Sequence, residues 1–277
     1  MLPNPIRKDP GVVFRDVLQQ MGGKRAIAAY GGIDDHIRKV LYQLASCGTG
    51  YFGTNMLQCG DCDTKMSVPR TCHSRYRPTC VGKAGQEWAQ GIEDKLLPTA
   101  YFHVIFTVPN GLLRTLMRSN QRQLYDLLLN ASKDTLLGLS AEQQPYGGVP
   151  SLLQVLHTTN QMLGFHPHVH ALVSGGSFNQ KDDQWVPCKD PKFLFPYECV
   201  ASSFRKRFLE GLQELYTNNQ LSLTAPSLHP LTEKEAFEDL VKSLGRIDWN
   251  VEIIETFNGP TSVVRYLARY THRTAIS

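Results

Sequence analysis

The spacing of apolar side chains predicts a series of helices along the chain. Apolar positions that recur every three or four residues line one face of an amphipathic helix. This pattern occurs at residues 12–21, 34–46, 84–97, 112–139, 198–217, 232–244 and 261–272. Asp34 is placed to cap the second of these helices, Pro98 ends the third, and Gly259-Pro260 precede the last.

Four further segments have the composition of β-strands: residues 101–108, 151–159, 166–174 and 249–257. The first is rich in aromatic and β-branched side chains, and Pro109-Asn110-Gly111 ends it. A short connection through Gly164 joins the second to the third, so we expect these two strands to form an antiparallel pair. Helices mixed with strands that include an antiparallel pair predict an α+β fold.

Length and composition narrow the class of protein. The 277 residues, 42% of them hydrophobic, are enough for one large domain or two modest ones with a packed core. No stretch approaches the roughly 18 uncharged apolar residues of a membrane span, and the first residues lack a signal-peptide core. We therefore expect a cytoplasmic protein without a membrane partner. The net charge of +4 permits a nucleic-acid partner without requiring one.

Five of the seven cysteines fall in one segment with few apolar side chains, residues 47–80: Cys47, Cys59, Cys62, Cys72 and Cys80. In a chain without a secretion signal, such clustering indicates metal binding before disulfides. Cys59 and Cys62 have the spacing of half a tetrahedral zinc site, which Cys72, His73 and Cys80 are placed to complete. The alternative is a set of free buried cysteines, but so polar a segment needs a metal to fold.

Basic residues outnumber acidic ones in this segment and the few residues after it. Lysine and arginine occur at Lys65, Arg70, Arg75, Arg77 and Lys83, against Asp61 and Asp63. This surplus would suit a zinc module that rests on phosphate groups. Arg75 and Arg77 are the DNA-binding candidates of this region.

Three histidines alternate along one predicted strand: His166, His168 and His170. Alternate residues of a strand point to one face, so the three imidazoles project together. Two imidazoles at this spacing can bind one divalent metal and leave positions open for substrate; the alternative is a polar face with hydrogen-bonded histidines. His157 is a candidate third ligand near the strand partner of His170, although a shift of one residue would turn it away.

Tyr266 and Tyr270 lie one turn apart on the last predicted helix, so both phenols share a face. The same stripe is typical of a helix that packs on a sheet, which is the alternative interpretation. Positive charge for a phosphate-bearing substrate comes from Arg265, Arg269, His272 and Arg273. A phenol, with a pKa near 10, attacks at neutral pH only an electrophile that a metal polarises.

Three segments in this order, behind a Cys-rich module, carry a resemblance to a known family. They are YFHVIFTVP, VLHTTNQMLGFHPHVHALVSGG and VVRYLARYTHRTAIS, and they resemble the two-tyrosine HUH transposases of the insertion sequence 91 type. HUH denotes His-hydrophobic-His, which His168-Val169-His170 matches. The resemblance covers nearly the whole chain.

The resemblance implies an architecture. It implies an antiparallel sheet flanked by helices, related to rolling-circle replication initiators and relaxases, behind a small helical and zinc-ribbon-like domain. We place the zinc-binding, DNA-binding domain at residues 1–98 and the HUH nuclease domain at residues 99–277.

The resemblance also implies a mechanism. His168 and His170 would hold Mg²⁺ or Mn²⁺ against a phosphate of single-stranded DNA at the transposon ends. Tyr266 or Tyr270 would attack that phosphate and form a 5′-phosphotyrosine link with a free 3′-hydroxyl. Two tyrosines would allow two successive strand transfers in rolling-circle transposition, by a bacterial protein that works at the nucleoid.

The chain departs from the family at two places. Tyr76 and Arg77 stand where the family has a histidine and a cysteine, which leaves one zinc held by Cys59, Cys62, Cys80 and one of Cys47, Cys72 or His73. The chain also stops soon after the tyrosine helix, so we expect a truncated copy. Two alternatives stay open: a replication initiator or relaxase-like nickase with the same chemistry, and an inactive zinc-dependent DNA-binding remnant.

Overall fold

The computed structural model describes residues 35–74, 76–142, 147–160, 164–188, 194–256 and 259–271, with the single residues 20, 27, 162 and 190. The chain divides into two compact units, residues 1–91 with 268–277, and residues 92–267. The predicted helix at 12–21 falls almost entirely outside the described residues, and Asp34 lies outside them as well.

The first unit contains a helix, a β-hairpin and most of a second helix. In chain order they are α1 (Asp35–Ser46), β1 (Thr54–Gln58), β2 (Lys65–Pro69) and α2 (Pro78–Glu93). The sequence did not predict this hairpin, and α2 begins and ends earlier than the predicted 84–97. Pro78 suits the first turn of a helix, where no backbone N–H is needed. The hairpin strands are almost fully exposed, so apolar packing does not hold them in place.

The second unit is built on a four-stranded antiparallel sheet. Its strands are β3 (Tyr101–Thr107), β4 (Leu152–Thr159), β5 (Phe165–Ser174) and β8 (Val251–Glu255), in the order β4-β5-β3-β8. A small hairpin, β6 (Gly176–Asn179) and β7 (Gln184–Pro187), follows β5. The predicted antiparallel pairing of β4 with β5 is confirmed, and so is the α+β fold.

Five helices accompany this sheet: α3 (Leu112–Ser119), α4 (Gln121–Glu142), α5 (Tyr197–Thr217), α6 (Lys234–Arg246) and α7 (Pro260–Thr271). They match the predicted helices to within a few residues. A 3-10 turn at His229–Thr232 delays the start of α6. Among the described helices, none combines the length and the apolar character that crossing a membrane requires.

One face of the sheet forms the hydrophobic core. Phe102, Val104 and Phe106 of β3 are buried in one cluster with the odd-numbered Val169, Ala171 and Val173 of β5. The rings of Phe106 and Phe204 lie 4.9 Å apart, and Phe204 in turn contacts Trp249. Helices α3 to α6 contribute buried leucines and phenylalanines to the same cluster, so this face supplies the apolar burial that stabilises the unit.

The opposite face of the sheet carries the polar side chains. Strand pairing sets Ile105 opposite His170 and opposite Glu252, and His157 opposite His168. Since alternate residues share a face, His103 lies on this side too. His157 was expected near the strand partner of His170, but it pairs with His168, two residues away. Because the shift is an even number of residues, its side chain is on the same face as those of His168 and His170.

Candidate active site

Three histidines from two neighbouring strands form a compact group on the polar face. Each of His157, His168 and His170 offers a ring nitrogen, and these nitrogens lie within 4.8 Å of one another. The rings of His157 and His170 are 4.1 Å apart between centroids, and those of His168 and His170 are 4.9 Å apart. His157 and His170 are buried, with exposed fractions of 8% and 3%. This arrangement fits three imidazole ligands around one divalent cation.

Hydrogen bonds select the ring nitrogen that each HUH histidine presents. Nδ1 of His168 lies 2.6 Å from the carbonyl oxygen of His166. Because a carbonyl only accepts, Nδ1 of His168 donates, and the lone pair of the neutral ring is on Nε2. Nδ1 of His170 lies 2.7 Å from Nε2 of His103. Nε2 of His170 is buried and has no hydrogen-bond partner among the described residues.

Burial keeps these imidazoles neutral. It lowers the pKa of His170 to about 2 and that of His157 to about 4, with further contributions from the neighbouring histidines. Burial also lowers the pKa of His168, with a smaller effect from Arg114. Neutral imidazole is the form that binds a metal, so at neutral pH these rings are in the form that a metal would require.

Two residues of this face were missed by sequence reasoning. His103 lies on the central strand, and Glu252 on β8 raises the pKa values of His103 and His168 against the effect of burial. Their signal was present in the alternation of YFHVIFTV and WNVEIIETF, which turns both side chains away from the apolar face. The alternation alone does not bring either residue near the histidine group. That requires the strand order, in which β3 lies between β5 and β8.

Tyr266 brings a phenol to the histidine group. Its ring centroid lies 5.9 Å from that of His170, with the two planes 68° apart. Val264 and Leu267 of the same helix are fully buried, whereas Tyr266 is 38% exposed. The predicted companion Tyr270 belongs to α7, but its side chain lies outside the described residues.

The predicted basic residues around the tyrosines are only partly described. The Arg265 guanidinium donates to both carboxylate oxygens of Glu93, at 2.8 and 3.2 Å, while its side chain stays 67% exposed. The side chain of Arg269, and the whole of His272, Arg273 and Arg75, lie outside the described residues.

A second basic group, which the sequence did not indicate, lies at the start of β5. Nη1 of Arg114 is 3.5 Å from the carbonyl oxygen of Phe165, and Arg114 contributes to lowering the pKa of His166 after burial. The Arg118 guanidinium lies 4.9 Å from the centre of the Phe165 ring. Positive charge and an aromatic face therefore adjoin the histidine strand.

In the first unit, the cysteines separate into two places. Cys47, Cys72 and Cys80 have sulfurs within 4.8 Å of one another. Cys59 and Cys62 are exposed in the turn of the β1–β2 hairpin, where Cys62 donates to Oγ1 of Thr64 at 3.2 Å. Among the described residues, the compact group is therefore not the predicted set of Cys59, Cys62 and Cys80. The exposed His73 does not belong to it either.

Arg77 lies among these thiols. Its Nη1 donates to Sγ of Cys47 and lies 3.8 Å from Sγ of Cys80. Burial raises the pKa of Cys80, but hydrogen bonds from Cys47 and Cys72 and the charge of Arg77 outweigh it and lower the pKa. With 6% of its surface exposed, Arg77 is not available to DNA in this structure, contrary to its prediction as a DNA contact.

Two family models match the chain. One is described as "Transposase zinc-binding domain" and matches residues 17–108. The other is described as "Putative transposase" and matches residues 152–277. The second range contains the histidine group, Tyr266 and Tyr270.

Two curated relatives align with most of this chain. It is 34% identical over 240 residues to "Putative transposase y4qJ" of Sinorhizobium fredii. That alignment covers 87% of this chain and 60% of the relative. It is 26% identical over 252 residues to "Transposase for insertion sequence element IS801" of Pseudomonas savastanoi pv. phaseolicola, which covers 89% of this chain and 58% of that protein. The chain thus spans about three fifths of the length of these relatives.

Among solved structures, the conjugative relaxase TrwC in complex with oriT DNA, in a metal-bound form, aligns with this chain. The alignment covers 90% of this chain and 78% of that one, at 12% identity and a TM-score of 0.32. A score this low does not establish a shared fold.

Proposed function

Because this chain belongs to the family of insertion sequence 91-type transposases, we propose that it cuts and rejoins single-stranded DNA with Tyr266 as a nucleophile. The observation that carries this proposal is the position of the Tyr266 phenol beside the histidine group, 5.9 Å from the ring of His170. A helix that only packed on the sheet would have no need to bring a partly exposed phenol to three buried imidazoles.

The histidine group fits a divalent metal. His157, His168 and His170 would hold it, and Nε2 of His170, buried and without a hydrogen-bond partner among the described residues, is the strongest sign of a missing ligand. Imidazole is an uncommon ligand of Mg²⁺, which prefers oxygen atoms, so Mn²⁺ suits these nitrogen donors better. When bound, the metal would polarise the phosphodiester that the tyrosine attacks.

Tyr266 would perform the covalent step. Its phenol oxygen forms a bond to phosphorus as the bond from phosphorus to the 3′-oxygen breaks. The phenol gives its proton to solvent, and the leaving 3′-oxygen takes one up from solvent. The products are a 5′-phosphotyrosine and a free 3′-hydroxyl, so the phosphodiester energy is retained for rejoining. Tyr270, the next tyrosine on α7, would provide the second transfer of a rolling-circle reaction.

The chain's own residues would orient the ring nitrogens and the DNA. The His166 carbonyl and His103 engage Nδ1 of His168 and of His170, which would leave Nε2 of both rings for the metal. Arg114 and Arg118 would contact phosphates next to the scissile one, and the ring of Phe165 would stack on an unpaired base.

The test is mass spectrometry of the chain after incubation with Mn²⁺ and single-stranded oligonucleotides that tile the DNA flanking its coding sequence. We expect an oligonucleotide linked to a peptide that contains Tyr266 or Tyr270. Transfer of the linked strand to a second oligonucleotide would identify a transposase rather than a nickase. If no peptide carries DNA with any oligonucleotide, the proposal is wrong and the alternative of an inactive remnant is favoured.

A further inference from the structure

The sulfurs of Cys47, Cys72 and Cys80 form a group whose spacing matches three of the four ligands of a tetrahedral zinc site. The sulfurs of Cys47 and Cys80 are 3.6 Å apart, and those of Cys72 and Cys80 are 3.7 Å apart. Four thiolates in a tetrahedron at about 2.3 Å from Zn²⁺ lie about 3.8 Å from one another. Three of the corners therefore fit the metal that the matched zinc-binding domain implies.

The fourth corner does not fit. Arg77 donates from Nη1 to Cys47 and approaches Cys80, and only 6% of its surface is exposed. It precedes Cys80 by three residues, the spacing at which a Cys-x-x-Cys motif would supply a ligand. A guanidinium has five donors and no acceptor, so it cannot ligate a cation.

No other described side chain takes the place of the fourth ligand. His73 is exposed, and the group of neighbouring ligand atoms in the described residues has three members. Cys59 and Cys62 are exposed in the hairpin turn, where the backbone N–H of Cys59 donates to Thr64 at 2.9 Å. The backbone N–H of Cys72 also donates to Sγ of Cys47, at 3.1 Å.

We propose that Arg77 closes the Cys47–Cys72–Cys80 group in place of a metal. The guanidinium lies against the sulfurs of Cys47 and Cys80 and, through these contacts, holds α2 against the end of α1. A zinc or cobalt ion could enter only if this buried guanidinium left, so the group binds such ions far more weakly than a complete four-ligand site. This departure belongs to this chain and does not depend on the proposed nuclease function.

The test is a Co²⁺ titration of the full chain in reducing buffer, because thiolate-to-cobalt absorption reports cysteine ligands. The parent carries Cys59→Ser and Cys62→Ser, so that the signal reports the group of three. We expect this parent to show little thiolate absorption at stoichiometric Co²⁺. Arg77→Cys in the same background should raise the affinity roughly 100-fold and add the absorption of a fourth thiolate. If the parent binds one Co²⁺ as tightly as the Arg77→Cys chain, the proposal is wrong.

A second measurement decides the matter if Arg77→Cys does not fold. Thermal unfolding in EDTA compares the parent with Arg77→Leu and with the control Arg70→Leu, which removes an exposed arginine bonded to Asn55 at 2.9 Å. We expect Arg77→Leu alone to lower the melting temperature clearly, because the thiols lose their buried partner. Equal melting temperatures, or a parent that EDTA unfolds, would overturn the proposal.

Discussion

The phenol ring of Tyr266 and the imidazole of His170 meet edge to face, with centroids 5.9 Å apart and planes at 68°. The two residues are 96 positions apart in sequence and come from a helix and a strand. The proposed function requires this proximity, because the attacked phosphate would contact both the phenol and a metal held by the imidazole.

The first prediction concerns the nucleophiles. Tyr266→Phe removes the hydroxyl and keeps the ring, so we expect adduct formation at residue 266 to stop while the melting temperature is unchanged. The double change Tyr266→Phe and Tyr270→Phe should abolish all adducts in the mass spectrum. Tyr197→Phe is the matched control, since Tyr197 is also partly exposed and lies on α5. An adduct that survives the double change would refute the assignment.

The second prediction concerns the HUH histidines. His168→Ala removes a ligand whose Nε2 is left for a cation, so Mn²⁺-dependent nicking should fall to background. Calorimetric Mn²⁺ titration should show the loss of one bound ion per chain. Unchanged nicking at any Mn²⁺ concentration would show that the group is a hydrogen-bonded structural cluster.

The third prediction concerns His103 as a positioning residue. His103→Leu leaves Nδ1 of His170 without its partner at 2.7 Å, so the Mn²⁺ affinity should fall roughly 10- to 100-fold. His103→Asn keeps an acceptor and should recover much of that loss, which a merely space-filling role would not explain. Manganese EPR titration measures both variants, and His229→Leu, an exposed histidine of the 3-10 turn, is the control. Equal losses for leucine and asparagine would contradict the positioning role.

The fourth prediction concerns acid stability without metal. Burial lowers the pKa values of His157 to about 4 and of His170 to about 2, from the ordinary 6.5. As pH falls below 6.5 the unfolded chain takes up these protons first, so stability present above that pH is lost on the way to the lowered values. His157 alone should reduce the free energy of unfolding by on the order of 3 kcal/mol between pH 7 and pH 4.

Urea unfolding in EDTA at several pH values measures this effect. His157→Gln removes the titrating group and should flatten the pH dependence over the same range. The same slope in both proteins would show that other groups dominate the acid response.

The fifth prediction concerns DNA contacts. Arg114→Gln should weaken binding to single-stranded DNA and reduce the slope of log affinity against log salt by about 0.7, the value of one lost phosphate contact. Arg122→Gln, an exposed arginine at the start of α4, is the control and should leave the slope unchanged. Fluorescence anisotropy at several salt concentrations distinguishes the two, and equal slopes would remove Arg114 from the interface.

Local patterns were enough to predict most elements of the second unit. The strands β3, β4, β5 and β8 and the helices α3 to α6 follow from apolar spacing, because each element buries one side against the same core. Helix α7 follows from the same spacing, with Val264 and Leu267 buried. The shared direction of His168 and His170 also follows from alternation alone.

Long-range pairing could not be predicted in the same way. The position of His157 in its strand indicates the face to which its side chain points, but not the residue that it pairs with. The turn and the packing of both strands set the register. The contact between His103 and His170 depends on strand order, which no local pattern states. In the Cys-rich segment, the Cys-x-x-Cys spacing of Cys59 and Cys62 was the stronger local signal, while tertiary folding collected Cys47, Cys72 and Cys80 instead.

The two faces of strand β5 have different roles. Val169, Ala171 and Val173 pack in the core, while His168 and His170 face the other way. Alternate residues of one ten-residue strand therefore serve the core and the candidate site. Under the proposed function, loss of the histidines would abolish the reaction and leave the core intact. Such a variant would keep its fold and, under the same proposal, compete with active copies for the same DNA.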